Sequence, residues 1–178
     1  MSDDDTSVAL PVGTYEDGLK YVGAWTEPVR ADVPIDRTMI KAYAALIEDA
    51  NPCYWDEEES LRTWGHVIAP PGLLFVVFAP LRWIPEQTVN FGALGANIPL
   101  PGNSLINAAS EQTFHRQLRL GDWLSVSESI ASISPLKQTS IGAGHFVASA
   151  ARYFDESGTL VAESVNHMLR FQATEAQP

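Results

Sequence analysis

The stretch VIAPPGLLFVVFAPL, residues 67–81, carries no charged side chain. It is shorter than the ~20 residues needed to span a membrane, and it has prolines near both ends. Pro71 suits a first helical turn and Pro80 closes the far end, so Gly72 to Ala79 reads as a helix. That helix is apolar all the way round. A helix without a polar face must be enclosed on every side, so the rest of the chain is expected to wrap it.

The last third supplies the wrapping. There the hydrophobic period shortens, with candidate strands at Leu105–Arg116, Trp123–Ser134, Ile141–Phe154 and Leu160–Phe171. In the second, Leu124, Val126 and Ile130 share one face, with Ser125, Ser127 and Ser129 on the other. DESG at 155–158 is a hairpin turn signal, and the short links make the sheet antiparallel. An antiparallel sheet curved around one apolar helix is an α+β arrangement of the hotdog type. At 178 residues and 46% hydrophobic, the chain is sized for one such domain. Its expected limits are 15–173, after an acidic tail over 1–14 and before a short tail over 174–178.

Upstream, TYEDGLKYVGAW is ambiguous between a short helix and an extended piece, and EPVRADVPI alternates as a strand. Asp36 can cap a helix carrying Met39, Ile40, Tyr43, Ala44 and Ile47 at helical spacing. That helix leads into EDANPCYWDEEE, residues 48–59. Beyond it lie a charged turn, DEEES, and a poorly patterned link through Trp64. The segment from Ile84 to Gly102, rich in Pro, Gly and Asn, reads as a long excursion.

DANPCY at 49–54 resembles the Asp-x-Asn-Pro-x-His motif of the MaoC-like (R)-specific enoyl-CoA hydratases and dehydratases. IAPPGLLF at 68–75 resembles the start of that family's central helix, and FHRQLRLGDWL at 114–124 its following strand and Gly-Asp turn. YWDEEE is similar to the fatty-acid-synthase-type N-terminal dehydratase branch and its accessory subunits. The resemblance covers most of residues 27–171. It implies a hotdog chain that holds an acyl-CoA thioester while a partner hotdog subunit supplies the catalytic Asp and His. No cofactor is implied, coenzyme A entering only as the carrier of the substrate.

Hydration of a 2-enoyl thioester needs a base for water, a proton for the α-carbon and donors for the thioester oxygen. Asp49 and Tyr54 occupy the positions of the catalytic pair, but a phenol with a pKa of ~10 is a poor substitute for an imidazole near 6.5. Asp49 and Asn51 read equally as caps for the helix end and loop, with Tyr54 and Trp55 packed beneath. By resemblance Gly72 is the thioester-oxygen donor, with Pro71 where the family has histidine. Asn51, Trp64, Phe75 and Phe91, together with Trp83, are candidates to line a roomy acyl pocket, such as a steroid side chain would need.

Arg116, Arg119 and Lys137 are the candidates for coenzyme A phosphates; a solvated surface role is the alternative for each. His66, His115, His145 and His167 have no metal-site spacing, and Cys53 is alone, so no metal is expected. With 22 acidic against 11 basic residues, attraction to nucleic acid or an anionic membrane is not expected. The lone cysteine and the absence of a signal-like opening point to the cytoplasm. Two other readings stay open: a self-sufficient hydratase or thioesterase, and a structural partner without chemistry of its own. The absence of a carboxylate on the apolar helix weighs against the thioesterase.

Overall fold

The computed structural model describes residues 10–79, 85 and 93–173. The chain begins with α1 (Tyr15–Leu19), β1 (Val29–Arg30) and α2 (Arg37–Leu46), then α3 (Pro52–Trp55), α4 (Glu57–Trp64), β2 (Ile68–Ala69) and α5 (Leu73–Val77). A 3-10 turn at Leu94–Ala96 leads to β3 (Ser104–Phe114), β4 (Leu118–Arg119), β5 (Leu124–Ile133), β6 (Lys137–Thr139), β7 (Gly142–Asp155) and β8 (Leu160–Phe171). No helix among the described residues is long and apolar enough to cross a membrane.

The sheet runs β1-β5-β7-β8-β3, with β6 also on β7, and every pairing is antiparallel. β3, β5, β7 and β8 match the four expected strands to within two residues at each end. The turn at 155–158 forms as expected: Gly158 N–H donates to Asp155 O at 2.9 Å, and Gly158 has φ of 80°. The segment expected as a strand around Val29 shrinks to two residues paired with β5.

α5 seats Leu73, Leu74 and Val77 in the main core, against Ile35, Ile40, Leu118, Leu124, Tyr153, Val161 and Ala162. Full burial of each such aliphatic side chain contributes about 1.5–3 kcal/mol. The Phe78 ring leans on Tyr153 at 5.5 Å between centroids. This is the hotdog arrangement, with a correction. α5 is only five residues long, and Phe75 and Val76 are 40% and 43% exposed, so the helix is enclosed on one face rather than all round.

The expected charged turn DEEES and the link after it through Trp64 are instead the single helix α4 with its cap. Asp56 caps it by accepting from the N–H groups of Glu58 and Glu59, three glutamates sit in its first turn, and Gly65 ends it at φ 74°. Negative side chains at a helix N-terminus meet the positive end of the helix dipole, so a charged run is here a helix start. The expected tail over 1–14 is also shorter than read: Pro11 O accepts from the buried Arg170 Nη2 at 2.8 Å, and Gly13 N–H donates to Leu100 O. The folded part thus reaches back to Pro11. Residues 1–9 and 174–178, and with them most of the two tails, lie outside the described residues, as do Trp83 and Phe91 of the excursion.

Candidate functional site

The end of α2 places the site. Asp36 caps its start, accepting from Met39 N–H at 2.7 Å. At its other end Asp49 N–H donates to Ala44 O and Glu48 N–H to Ala45 O, the paired bonds of a Schellman stop. The left-handed position of that stop, usually glycine, is Glu48 at φ 54°. Asp49 therefore leaves the helix at a fixed angle. Its Oδ1 accepts from Asn51 N–H at 2.9 Å, and its carbonyl accepts from Trp55 Nε1 at 2.8 Å.

Asn51 caps α3, its Oδ1 accepting from Cys53 N–H, and Pro52 takes the first helical position. Asp49 borders an open depression of about 390 Å³, with Ala44, Ala45, Ala50 and Trp55 as its apolar walls and Glu48 as a second carboxylate. The half-buried Tyr54 lies within reach of Asp49 and Asn51. Burial pushes its phenol above the usual value, and the Asp49 charge adds to this, against an opposing hydrogen bond with Asn51. A phenol moved further from neutrality is a neutral hydrogen-bonding group at pH 7, not a base.

Gly72 stands one contact away. The turn into α5 uses the N–H groups of Leu73, Leu74 and Phe75, which donate to Pro70, Pro71 and Gly72 carbonyls. Over Gly72 lies Tyr43 of α2, whose hydroxyl and ring edge would collide with any Cβ there. Tyr43 counted in the sequence only as an apolar position of α2, yet it brings a hydroxyl to the glycine. Asp49, Asn51 and Tyr54 are thus gathered in one loop, with Gly72 adjoining through α2. Trp64, 43% exposed at the end of α4, and Phe75 on the outer face of α5 are not part of that loop, and Pro71 is exposed.

Glu128 is not among the candidates above, although the alternation that puts Leu124, Val126 and Ile130 on the core face of β5 puts it there too. Burial raises its carboxyl above the usual range, against a hydrogen bond from the Leu94 N–H. Across the sheet Glu128 pairs with Ala151, and Tyr153 is its diagonal neighbour two residues on, its hydroxyl 3.3 Å from Ser164 Oγ.

The three phosphate candidates do not converge. Arg116 is held by Asp122 at 2.8 Å and Asp155 at 3.2 Å, and its side chain is 17% exposed. Lys137 pairs with Gly144, at the end of β7 remote from Asp155, about 36 Å away along an extended strand. Arg119 lies on β4 beside His66.

Each of the four histidines has a place outside the Asp49 loop. His115, just past the end of β3, meets Glu163 of β8 at 3.2 Å. His145 is buried, with Nδ1 2.9 Å from Ser134 O and its ring stacked on Tyr15. His167 lies within β8, opposite Ala109 and Ala148. His66 is next to Arg119, and burial, with the charges of Arg119 and Arg116, holds its imidazole below the usual value.

The family model described as the FAS1-like dehydratase domain region matches residues 20–164. A probable enoyl-CoA hydratase alpha subunit of Thermomonospora curvata is 32% identical over 170 residues, covering 88% of this chain and 53% of that protein. The 3-oxo-4,17-pregnadiene-20-carboxyl-CoA hydratase alpha subunit of Mycobacterium tuberculosis is 29% identical over 126 residues, covering 68% of this chain and 40% of that protein. The chain spans about half the length of the curated relatives it matches. A chain of the ChsH1-ChsH2 complex from Mycobacterium tuberculosis superimposes with a TM-score of 0.74 at 25% identity, over 90% of this chain and 97% of that one. With that match spanning most of its length, this chain belongs to the FAS1-like dehydratase-region family, a MaoC-like branch of the hotdog fold.

Proposed function

We propose that this chain is the substrate-holding hotdog of a heteromeric enoyl-CoA hydratase, binding an acyl-CoA thioester while a partner hotdog supplies the Asp and His that add water. The observation that carries this reading is the Asp49 loop. It keeps the family's acid, amide and proline in a fixed turn, but at the histidine position it holds a phenol driven away from neutrality. None of the chain's four imidazoles belongs to that loop. On this reading the Asp49 loop and Gly72 hold the thioester end, and the hydroxyl of Tyr43 lies beside it.

A bulky acyl group fits the same frame. The short α5 leaves Phe75 and Val76 uncovered, and the relative from Mycobacterium tuberculosis bears the name of a steroid-type thioester hydratase. The two relatives named as alpha subunits, and the solved ChsH1-ChsH2 complex, support a second subunit. The test is hydration of 2-enoyl-CoA substrates by the purified chain, alone and mixed with a hotdog chain carrying an intact Asp-x-Asn-Pro-x-His. Turnover only in the mixture is expected; robust turnover by this chain alone would end the division of labour.

A purely structural role has one observation in its favour, the Asp49 carboxylate accepting from Asn51 N–H as a turn cap does. Asp49→Ala separates the readings. Unchanged activity of the assembled complex favours the structural one.

A further inference from the structure

We propose that Arg119 and His66 form a seat for a phosphoryl group; resting on the acyl-CoA reading above, its occupant is a phosphate of the coenzyme A carrier. The short β2–β4 ribbon aligns Ile68 with Arg119 and Ala69 with Leu118, and Leu120 N–H donates to Val67 O at 2.9 Å. Alternation then sorts the two faces. Val67, Ala69, Leu118 and Leu120 turn into the main core, while His66 and Arg119 share the opposite face with Ile68.

On that face two polar atoms stand without partners among the described residues: Nε of Arg119 and Nε2 of His66 are both buried and neither makes a hydrogen bond there. The guanidinium of Arg119 has no acceptor among the described residues, which sets it apart from the other described arginines. Arg30, Arg37, Arg62, Arg116 and Arg152 each meet a carboxylate. Arg170 meets backbone carbonyls. In a chain with 22 acidic and 11 basic residues, a half-buried guanidinium without a carboxylate is a site with its counter-charge missing.

The neighbours fit an incoming anion. Arg116 is neutralised by Asp122 and Asp155, so it anchors the turn without competing for the ligand. Asp122 Oδ2 also accepts from the Arg119 backbone N–H at 2.9 Å, which fixes the start of the turn. A planar guanidinium pairs with two phosphoryl oxygens at once, and the adjacent imidazole supplies a further N–H. The preference is for a phosphomonoester or diphosphate over a lone carboxylate, because three or more acceptor oxygens are needed to use both side chains.

Titration calorimetry on the full chain tests this with three probes: coenzyme A, pantetheine and inorganic phosphate. Coenzyme A is expected to bind at least about tenfold more tightly than pantetheine, as charged hydrogen bonds of this kind imply. Arg119→Met, which keeps the apolar stem, removes that advantage and abolishes phosphate binding, while leaving pantetheine unchanged; His66→Gln weakens coenzyme A and phosphate in parallel. Equal coenzyme A and phosphate binding by the wild type and a folded Arg119→Met overturns the seat, and Arg119→Lys, keeping the charge, guards against reading a folding defect as lost binding. If phosphate depends on Arg119 but coenzyme A binds no more tightly than phosphate, the seat stands and the acyl-CoA reading falls.

Discussion

The hydroxyl of Tyr43 occupies the space that a Cβ on Gly72 would need, so α2 and the start of α5 meet without a side chain between them. Gly72 has φ of −64°, which any residue adopts, so the glycine is there for close approach and not for its backbone freedom. Gly72→Ala should therefore cost about 1–3 kcal/mol by overpacking. Tyr43→Phe in that background removes the nearest colliding atom and should recover part of the loss. Urea denaturation of the four chains of this double-mutant cycle measures the coupling. Additive effects would mean that the two residues do not meet.

Glu48 holds the left-handed position of the Schellman stop with a side chain that disfavours it. A non-glycine residue in that conformation costs roughly 1 kcal/mol or slightly more. Glu48→Gly should raise stability by about 1 kcal/mol, less whatever the unfolded chain gains in freedom. A thermal melt that shows no gain, or a loss, would place Glu48 in a stabilising contact that outweighs its backbone.

The fold was legible where period and punctuation agreed. The four long strands announce themselves by alternation and by turns such as 155–158, and the cap of α2 by Asp36. The enclosure of α5 was not legible, because an all-apolar run says that some faces are covered but not how many residues stay helical. α4 hid behind its charges, since its first turn is stabilised by the helix dipole and a cap, neither of which shows as hydrophobic period. Within the site, the order Asp49, Asn51, Pro52 was readable because their contacts are local. Tyr43 over Gly72 and Arg119 beside His66 depend on register between distant segments. Glu128 shares the alternation of Leu124, Val126 and Ile130, but a charged residue between serines carries no apolar signal of the face it occupies.

The Arg116 cluster predicts an acid-sensitive turn. The Asp155 carboxyl is held down to about 2, by Ser157 Oγ foremost and against burial, with the Thr159 N–H and Arg116 also contributing. A depressed folded pKa gives stability that is fully present above the unfolded value of 3.8 and lost as pH falls toward 2. Asp155→Asn should flatten the stability profile across that window and lower stability at pH 7. Arg116→Met, which strands two carboxylates, should cost about 2–3 kcal/mol at pH 7, somewhat less than for a fully buried pair. Stability measured by denaturant at pH 7, 4 and 2.5 checks both, and an unchanged profile for Asp155→Asn would remove this carboxylate from the acid transition.

Glu128 should act with the opposite sign. Burial favours its neutral form, so its folded pKa lies above its ordinary value of 4.5. With a raised folded pKa the folded chain holds the proton that the unfolded chain has released. The stability this gives is complete below 4.5 and is lost as pH rises through the folded pKa. Above its ordinary value the wild type therefore carries the cost of this burial, and Glu128→Gln keeps the shape and hydrogen-bonding capacity of the side chain without a group that titrates. The variant should be more stable than the wild type at pH 7, and its advantage should shrink toward pH 4, where the linkage favours the protonated wild type. A melting-temperature difference between the two chains, followed from pH 7 to pH 4, reads this directly. A difference that stays constant with pH would trace the effect to packing, and a variant less stable at pH 7 would mean that the hydrogen bond from the Leu94 N–H outweighs the burial.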